Sequence, residues 1–322
     1  MHTVEYAIVG AGAIGSIIGA HLARAGHEVA MIVREHRAAM LRSDGLRIRG
    51  LANFSVPVTV ITDAATLRSA DVLIVAMKTP GTAAALAPLG SAAIGTAFSI
   101  QNGIWKNEVL VEMFGAPRVL GAVANTSGEL QADGSVLFTR NINVLLGELS
   151  AGDSERAQHI ARDIDASGVR ATAVHDISSI EWTKFVAWVA LMSLSVTTRA
   201  LTWRYLSEPH SAAVIVQLMR EVTALARARG IELVQEHSLL PLTAILHGTE
   251  QEALEAVFAT GREYQANAPD HRMSSLQDLM AGRPLEVEET LGHAANLATK
   301  LNVAAPLLQS FYHLVAAIDR CR

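Results

Sequence analysis

Apolar positions recur along this chain with two different periods, and the change from one to the other divides it. As far as about residue 175, short apolar runs alternate with stretches whose apolar residues recur every three to four positions. That alternation predicts a parallel sheet covered by helices on both faces. Residues 4–9 read as the first strand, 16–25 as a helix and 26–33 as a second strand. Residues 71–77 form an apolar run bounded by polar residues, as a buried central strand does, and 96–100 and 118–122 repeat it. The segments 134–139 and 142–147 read as an antiparallel pair added to the sheet. A charged helix over 154–165 and a short strand near 169–174 follow. From Ile177 onward the period is helical throughout. Val214, Ile215, Leu218, Met219, Val222, Leu225 and Ala226 recur at helical spacing, and Gly230 is placed to end their helix. Residues 250–266, 285–301 and 306–318 read the same way. The expected fold is α/β, a doubly wound sheet in residues 1–175 followed by an all-helical domain in 176–322. Small molecules usually bind between the domains of such chains.

Composition narrows the partners. The 322 residues are enough for two cores; half are hydrophobic, 18% are charged, and the net charge is −5. With no basic run, neither a nucleic acid nor a membrane surface is an expected partner. The single Cys321 excludes a disulfide framework and a thiolate metal site. None of the twelve histidines forms a tight ligand pair, so no catalytic metal is expected. His175, at the domain junction, reads as a packed structural histidine, the alternative being a place in the lining of the cleft. The longest apolar stretch, 185–194, is too short to span a bilayer. A strand begins at once, leaving no room for a signal peptide, and a cytoplasmic location is the expectation. The oligomeric state is open, a homodimer included.

Candidate chemistry starts at Gly10-Ala11-Gly12-Ala13-Ile14-Gly15, between the first strand and the first helix. Gly10 permits the tight turn, Gly12 leaves bare backbone for a pyrophosphate, and Gly15 lets the helix pack on the sheet. The helix N-terminus then aims its N–H groups at the anion. The residue closing the second strand selects the dinucleotide. An acid there accepts from the ribose 2′-OH of NAD, whereas an Arg accommodates the 2′-phosphate of NADP. Arg34 holds that place, with His36 and Arg37 beyond, while Glu35 falls one position late. NADP(H) is the expected cofactor, and the alternative is that Arg34 and Arg37 are solvated helix-start charges.

Five strings together resemble the ketopantoate reductases. They are the glycine turn, Val75-Ala-Met-Lys78, Gln101-Asn102-Gly103, Glu181-Trp182-x-Lys184, and Ser274-x-Leu-Gln277-Asp278-Leu-x-x-Gly282-Arg283-Pro-x-Glu286. The likeness runs through nearly the whole chain, in order. It implies a Rossmann domain, a helical C-terminal domain, NADPH, and reduction of a small-molecule 2-oxo acid to the 2-hydroxy acid. It makes Lys184 the general acid and Glu286 the carboxylate that orients and charges it. It places Lys78 and Asn102 near cofactor and substrate, and makes Ser274 the donor to the substrate carboxylate, with Arg272 a nearby countercharge. A ketone receiving hydride becomes an alkoxide, which a held ammonium can both neutralise and protonate.

The chain departs from that pattern in one region. Where ketopantoate reductases carry asparagines four and eight residues after the lysine, this chain has Trp188 and Met192, and a third asparagine position holds Leu291. Residues 184, 188 and 192 share one face of an α-helix. Either Trp188 and Met192 are core residues and Ser193, Ser195 or Thr197 holds the substrate, or the substrate presents an apolar group to them. Two further alternatives remain, a non-catalytic NADP(H) sensor and an opine-type dehydrogenase.

Overall fold

Among the described residues, ten strands share one sheet: β1 (His2–Val9), β2 (Val29–Ile32), β3 (Leu46–Gly50), β4 (Phe54–Val56), β5 (Thr59–Ile61), β6 (Leu67–Val75), β7 (Ala93–Ser99), β8 (Val119–Leu130), β9 (Val136–Glu148) and β10 (Ala171–Ala173). Their order is β4-β3-β9-β8-β7-β6-β1-β2-β5, with β10 beside β9. The computed structural model describes residues 1–321. It divides into two units, residues 1–102 with 106–178, and residues 103–105 with 179–321. Helices α1 (Ala13–Ala25), α2 (Glu35–Asp44), α3 (Thr82–Leu86), α4 (Trp105–Phe114) and α5 (Glu155–Ala166) interleave with the strands.

The centre of the sheet is parallel and level at its C-terminal edge. Val9 pairs with Ile32 on one side and Val75 on the other, and Val75 pairs with Ser99. Loops leaving β1, β2, β6 and β7 therefore start side by side, where doubly wound sheets bind ligands. The two ends of the strand order, β4 and β5, are linked only by Pro57 and Val58. Three peptide steps span at most about 11 Å, so the sheet curls back on itself as a half-barrel. Ile8, Ile17, Ile18, Leu22, Met31, Leu46, Ile74 and Phe98 belong to one buried core that packs α1 against the sheet.

Two expectations about this unit need correction. Residues 134–139 and 142–147 do not pair with each other; 136–148 form the single strand β9, whose antiparallel partner is β8. The polar stretch between the two segments stays extended because its side chains find partners. The Thr139 hydroxyl donates to Ser127 O, Asn141 Nδ2 donates to Gly168 O at 3.1 Å, and Asn141 Oδ1 accepts from the Arg170 amide. Residues 46–61, unassigned from the sequence, form three short strands. His175 is exposed rather than packed, 3.2 Å from the Asp153 carboxylate.

The second unit is helical: α6 (Ile177–Thr198), α7 (Thr202–Ser207), α8 (Pro209–Ala228), α9 (Leu242–His247), α10 (Glu250–Asn267), α11 (Ser274–Met280), α12 (His293–Lys300) and α13 (Pro306–Arg320). Where the sequence predicts one helix over 285–301, a π-helical turn at Glu288–Gly292 precedes α12. Helix α13 has no cap of its own. The buried Glu221 carboxylate on α8 accepts from its Leu307 and Leu308 amides at 3.2 and 2.8 Å, supplying the missing acceptors. No helix among the described residues is long and apolar enough to cross a membrane.

Candidate functional site

The three glycines of the first turn have separable reasons for being glycine. Gly10 adopts φ +102°, and a Cβ there would lie 2.8 Å from the Met77 amide nitrogen. At Gly15 a Cβ would sit 2.3 Å from Gly10 O and 2.8 Å from Ala76 Cβ, so the helix could not seat against the turn. Gly12 is different. Its φ of −72° and ψ of −169° suit any residue, and a Cβ would meet only Ala76 O at an ordinary 3.8 Å. Nothing in the protein demands glycine at position 12, and the space beside its backbone is clear. The first turn of α1 has no capping side chain and no acid; a helix start of that kind suits an anion. The geometry of the turn, Gly10, Ala11, Gly12, Ala13, Ile14 and Gly15, is compatible with a dinucleotide pyrophosphate.

The neighbouring loops carry the other cofactor candidates. Arg34 is the exposed N-cap residue of α2. Glu35 beside it is held by Arg42 at 2.6 Å. Arg37, two residues after Glu35, is buried and donates to Gly134 O at 2.9 Å, which makes it a structural residue. Lys78 is exposed three residues beyond β6, and Asn102 is half-buried three residues beyond β7. The sequence reading missed what steadies these loops. Buried Gln101 accepts from Ser99 Oγ at 2.9 Å and donates to Thr82 Oγ1 at 2.8 Å, while Thr82 donates to Thr79 O. Only a pairing with a residue 19 positions away reveals that role.

In the helical unit, Lys184 is half-buried on α6, one turn before Trp188 and two before Met192. Trp188 is 5% exposed and stacks on Phe185, whose other neighbour, Trp182, meets it edge-on. Met192 is fully buried, its sulfur 3.9 Å from Thr290 Oγ1. Both therefore belong to the helical core. Ser193 and Ser195 are also fully buried, and the Ser195 hydroxyl is engaged by Met192 O and Ser275. Thr197 donates to Ser193 O within its own helix. At the start of α11, Ser274 is exposed, whereas Ser275 is buried 3.2 Å from Ser195 Oγ. Arg272 is exposed.

The letters between Ser274 and Glu286 are structural. Gly282 takes φ +65°, and Arg283 returns both its amide and its Nε to Asp278 at 2.8 Å. That closed turn delivers Glu286, 6% exposed, into the interior. A carboxylate so far from water is tolerated only with charged or hydrogen-bonding partners.

Residues 6–151 match the family described as Ketopantoate reductase PanE/ApbA, and residues 176–319 match Ketopantoate reductase PanE/ApbA C terminal. The 2-dehydropantoate 2-reductase of Nostoc sp. is 26% identical over 99% of this chain and 96% of its own. The crystal structure of 2-dehydropantoate 2-reductase from Methylococcus capsulatus is 27% identical with a TM-score of 0.78, covering 99% of this chain and 97% of that one. The ternary structure of D-mandelate dehydrogenase with NADH and anilino(oxo)acetate shares the fold at 19% identity and a TM-score of 0.83, over 98% of this chain and 99% of that one.

Proposed function

We propose, from the premise that the chain belongs to the ketopantoate reductase family and is an NADP-dependent oxidoreductase acting on a CH–OH group, that it reduces a 2-oxo acid bearing an apolar side chain. The observation that carries the substrate class is the face of α6 below Lys184. Trp188 and Met192 are core residues there and put an indole and a thioether where the family carries two amides, so that face has no carbonyl acceptor and at most the Trp188 indole N–H as a donor. A polar substrate group left unpaired in a buried site loses about 1–3 kcal/mol, so two such positions favour an apolar 2-oxo acid over a hydroxylated one.

Bound at the Gly12 cradle, NADPH supplies the hydride. Arg34 takes the adenosine 2′-phosphate, because it is exposed at the end of β2 and the adjacent acid is occupied by Arg42. Lys78 and Asn102 rise from the same sheet edge and steady the nicotinamide end and the reacting carbonyl. Lys184 donates its proton to the C2 oxygen as charge develops there, and Glu286 keeps that ammonium charged and aimed. Exposed Ser274 donates to the substrate carboxylate.

The purified protein is assayed by loss of NADPH or NADH absorbance with ketopantoate, 3-methyl-2-oxobutanoate, 4-methyl-2-oxopentanoate and phenylglyoxylate. The expected result is NADPH-dependent turnover with at least one of the three apolar acids exceeding ketopantoate in kcat/KM. Fastest reduction of ketopantoate would overturn the substrate assignment.

A further inference from the structure

The segment that carries Glu286 is built unlike the rest of the helical unit. At residue 288 the chain enters a π-helical turn instead of an α-helix. The Gly292 amide reaches back five residues to Val287 O at 2.9 Å, and the Thr290 amide bonds Val287 O at 3.3 Å. In a regular helix the Thr290 amide would bond the carbonyl of Glu286, four residues back. Here the side-chain hydroxyl of Thr290 makes that bond instead, donating to Glu286 O. The hydroxyl thus does a backbone's task at Glu286, the residue read above as the partner of Lys184. Turns of this kind concentrate at functional sites.

Thr290 is fully buried, and both ends of its side chain are in contact. Its hydroxyl lies 3.9 Å from Met192 Sδ, and its methyl carbon would stand 3.1 Å from a Cβ built on Gly103. From the outer side the same segment is gripped by α13. The Leu285 amide donates to Asp319 Oδ1 at 3.0 Å, and Tyr312 and Arg320 donate to the two Glu288 oxygens at 2.7 and 2.8 Å. The contacts hold Leu285 just before position 286, the carbonyl of Glu286 itself, and Glu288 twice just after it.

We propose that Thr290 is a positioning residue for the reduction, holding the backbone of Glu286 through its hydroxyl while α13 holds the flanks. The proposal rests on the reading of Glu286 as the partner of Lys184. It is tested with phenylglyoxylate, or with ketopantoate if that is turned over faster, in the full-length enzyme. Thr290→Val keeps the shape and removes the hydroxyl. It should lower kcat about tenfold, with KM and the NADPH Kd within about twofold of wild type. Thr290→Ser, which restores the donor, should recover most of the loss. Wild-type kcat in Thr290→Val, or a Thr290→Ser enzyme as slow as Thr290→Val, overturns the proposal. Should Thr290→Val fail to fold, Tyr312→Phe makes the same test at an outer contact: a several-fold fall in kcat at constant NADPH Kd supports the clamp, and unchanged kcat refutes it. Glu286→Gln separates the two levels. If it retains kcat, the role of Glu286 itself fails; if it loses kcat while Thr290→Val does not, only the positioning role fails.

Discussion

Replacing Gly12 and Gly15 by alanine, one at a time, should move stability and cofactor affinity in opposite directions. At Gly12 the backbone is already in a region open to all residues, and the added methyl meets only Ala76 O at 3.8 Å. Fixing such a position stabilises a fold by about 0.4–1 kcal/mol through the unfolded chain. That corresponds to a rise in Tm of about 1–4 °C for a unit of this size. On the proposed function, the same methyl would stand where the pyrophosphate approaches bare backbone. Losing one charge-assisted hydrogen bond costs about 1.5–3 kcal/mol, so the NADPH Kd should weaken roughly tenfold to a hundredfold. At Gly15 the methyl would press on Gly10 O at 2.3 Å and Ala76 Cβ at 2.8 Å. Overpacking of that kind destabilises by about 1–3 kcal/mol, and Tm should fall. Calorimetry and NADPH fluorescence titration read the two quantities separately. Wild-type NADPH affinity in Gly12→Ala, or a loss of Tm matching that of Gly15→Ala, would refute the assignment of Gly12 to the ligand.

Two other perturbations follow from the same structure. Arg34→Ser should cut the preference for NADPH over NADH by about tenfold or more, since a charge-assisted contact to the 2′-phosphate is removed; an unchanged kcat/KM ratio for the two cofactors would place the phosphate elsewhere. His21 is buried, donates from Nδ1 to Ile17 O at 2.8 Å and lies edge-on to Phe54 and Phe138, and burial lowers its pKa below the usual 6.5. The unfolded chain then binds more protons than the folded one below about pH 6.5, so this contribution to stability is present above that pH and is lost as pH falls through the folded pKa. Urea unfolding between about pH 7 and 5 should show that decline, and His21→Gln should flatten it; an identical slope in the variant would remove His21 as the cause.

The parts of the fold that the sequence made legible are those governed by local sterics. The turn from β1 into α1 needs Gly10 and Gly15 for reasons within seven residues and one neighbouring strand, and the helical period after Ile177 is self-contained. The misreading of β9 came from Thr139-Arg140-Asn141, whose polarity resembles a turn until Gly168 and Arg170 supply partners from 27 to 29 residues away. Trp188 and Met192 illustrate a subtler limit. Helical spacing puts them on a face with Lys184, but what covers that face depends on Phe185 and on Thr290, nearly a hundred residues later. Gln101 and Thr290 were invisible for the same reason: the meaning of their hydrogen bonds depends on a distant partner or an irregular backbone.

The most direct test of the account is Lys184→Ala, assayed on the fastest 2-oxo acid with NADPH affinity measured in parallel. General acid catalysis by a held ammonium contributes about 10²–10⁴ in rate, so kcat should fall by that order while the NADPH Kd stays within about twofold. Undiminished turnover in the variant would contradict the assignment of Lys184 as the proton donor.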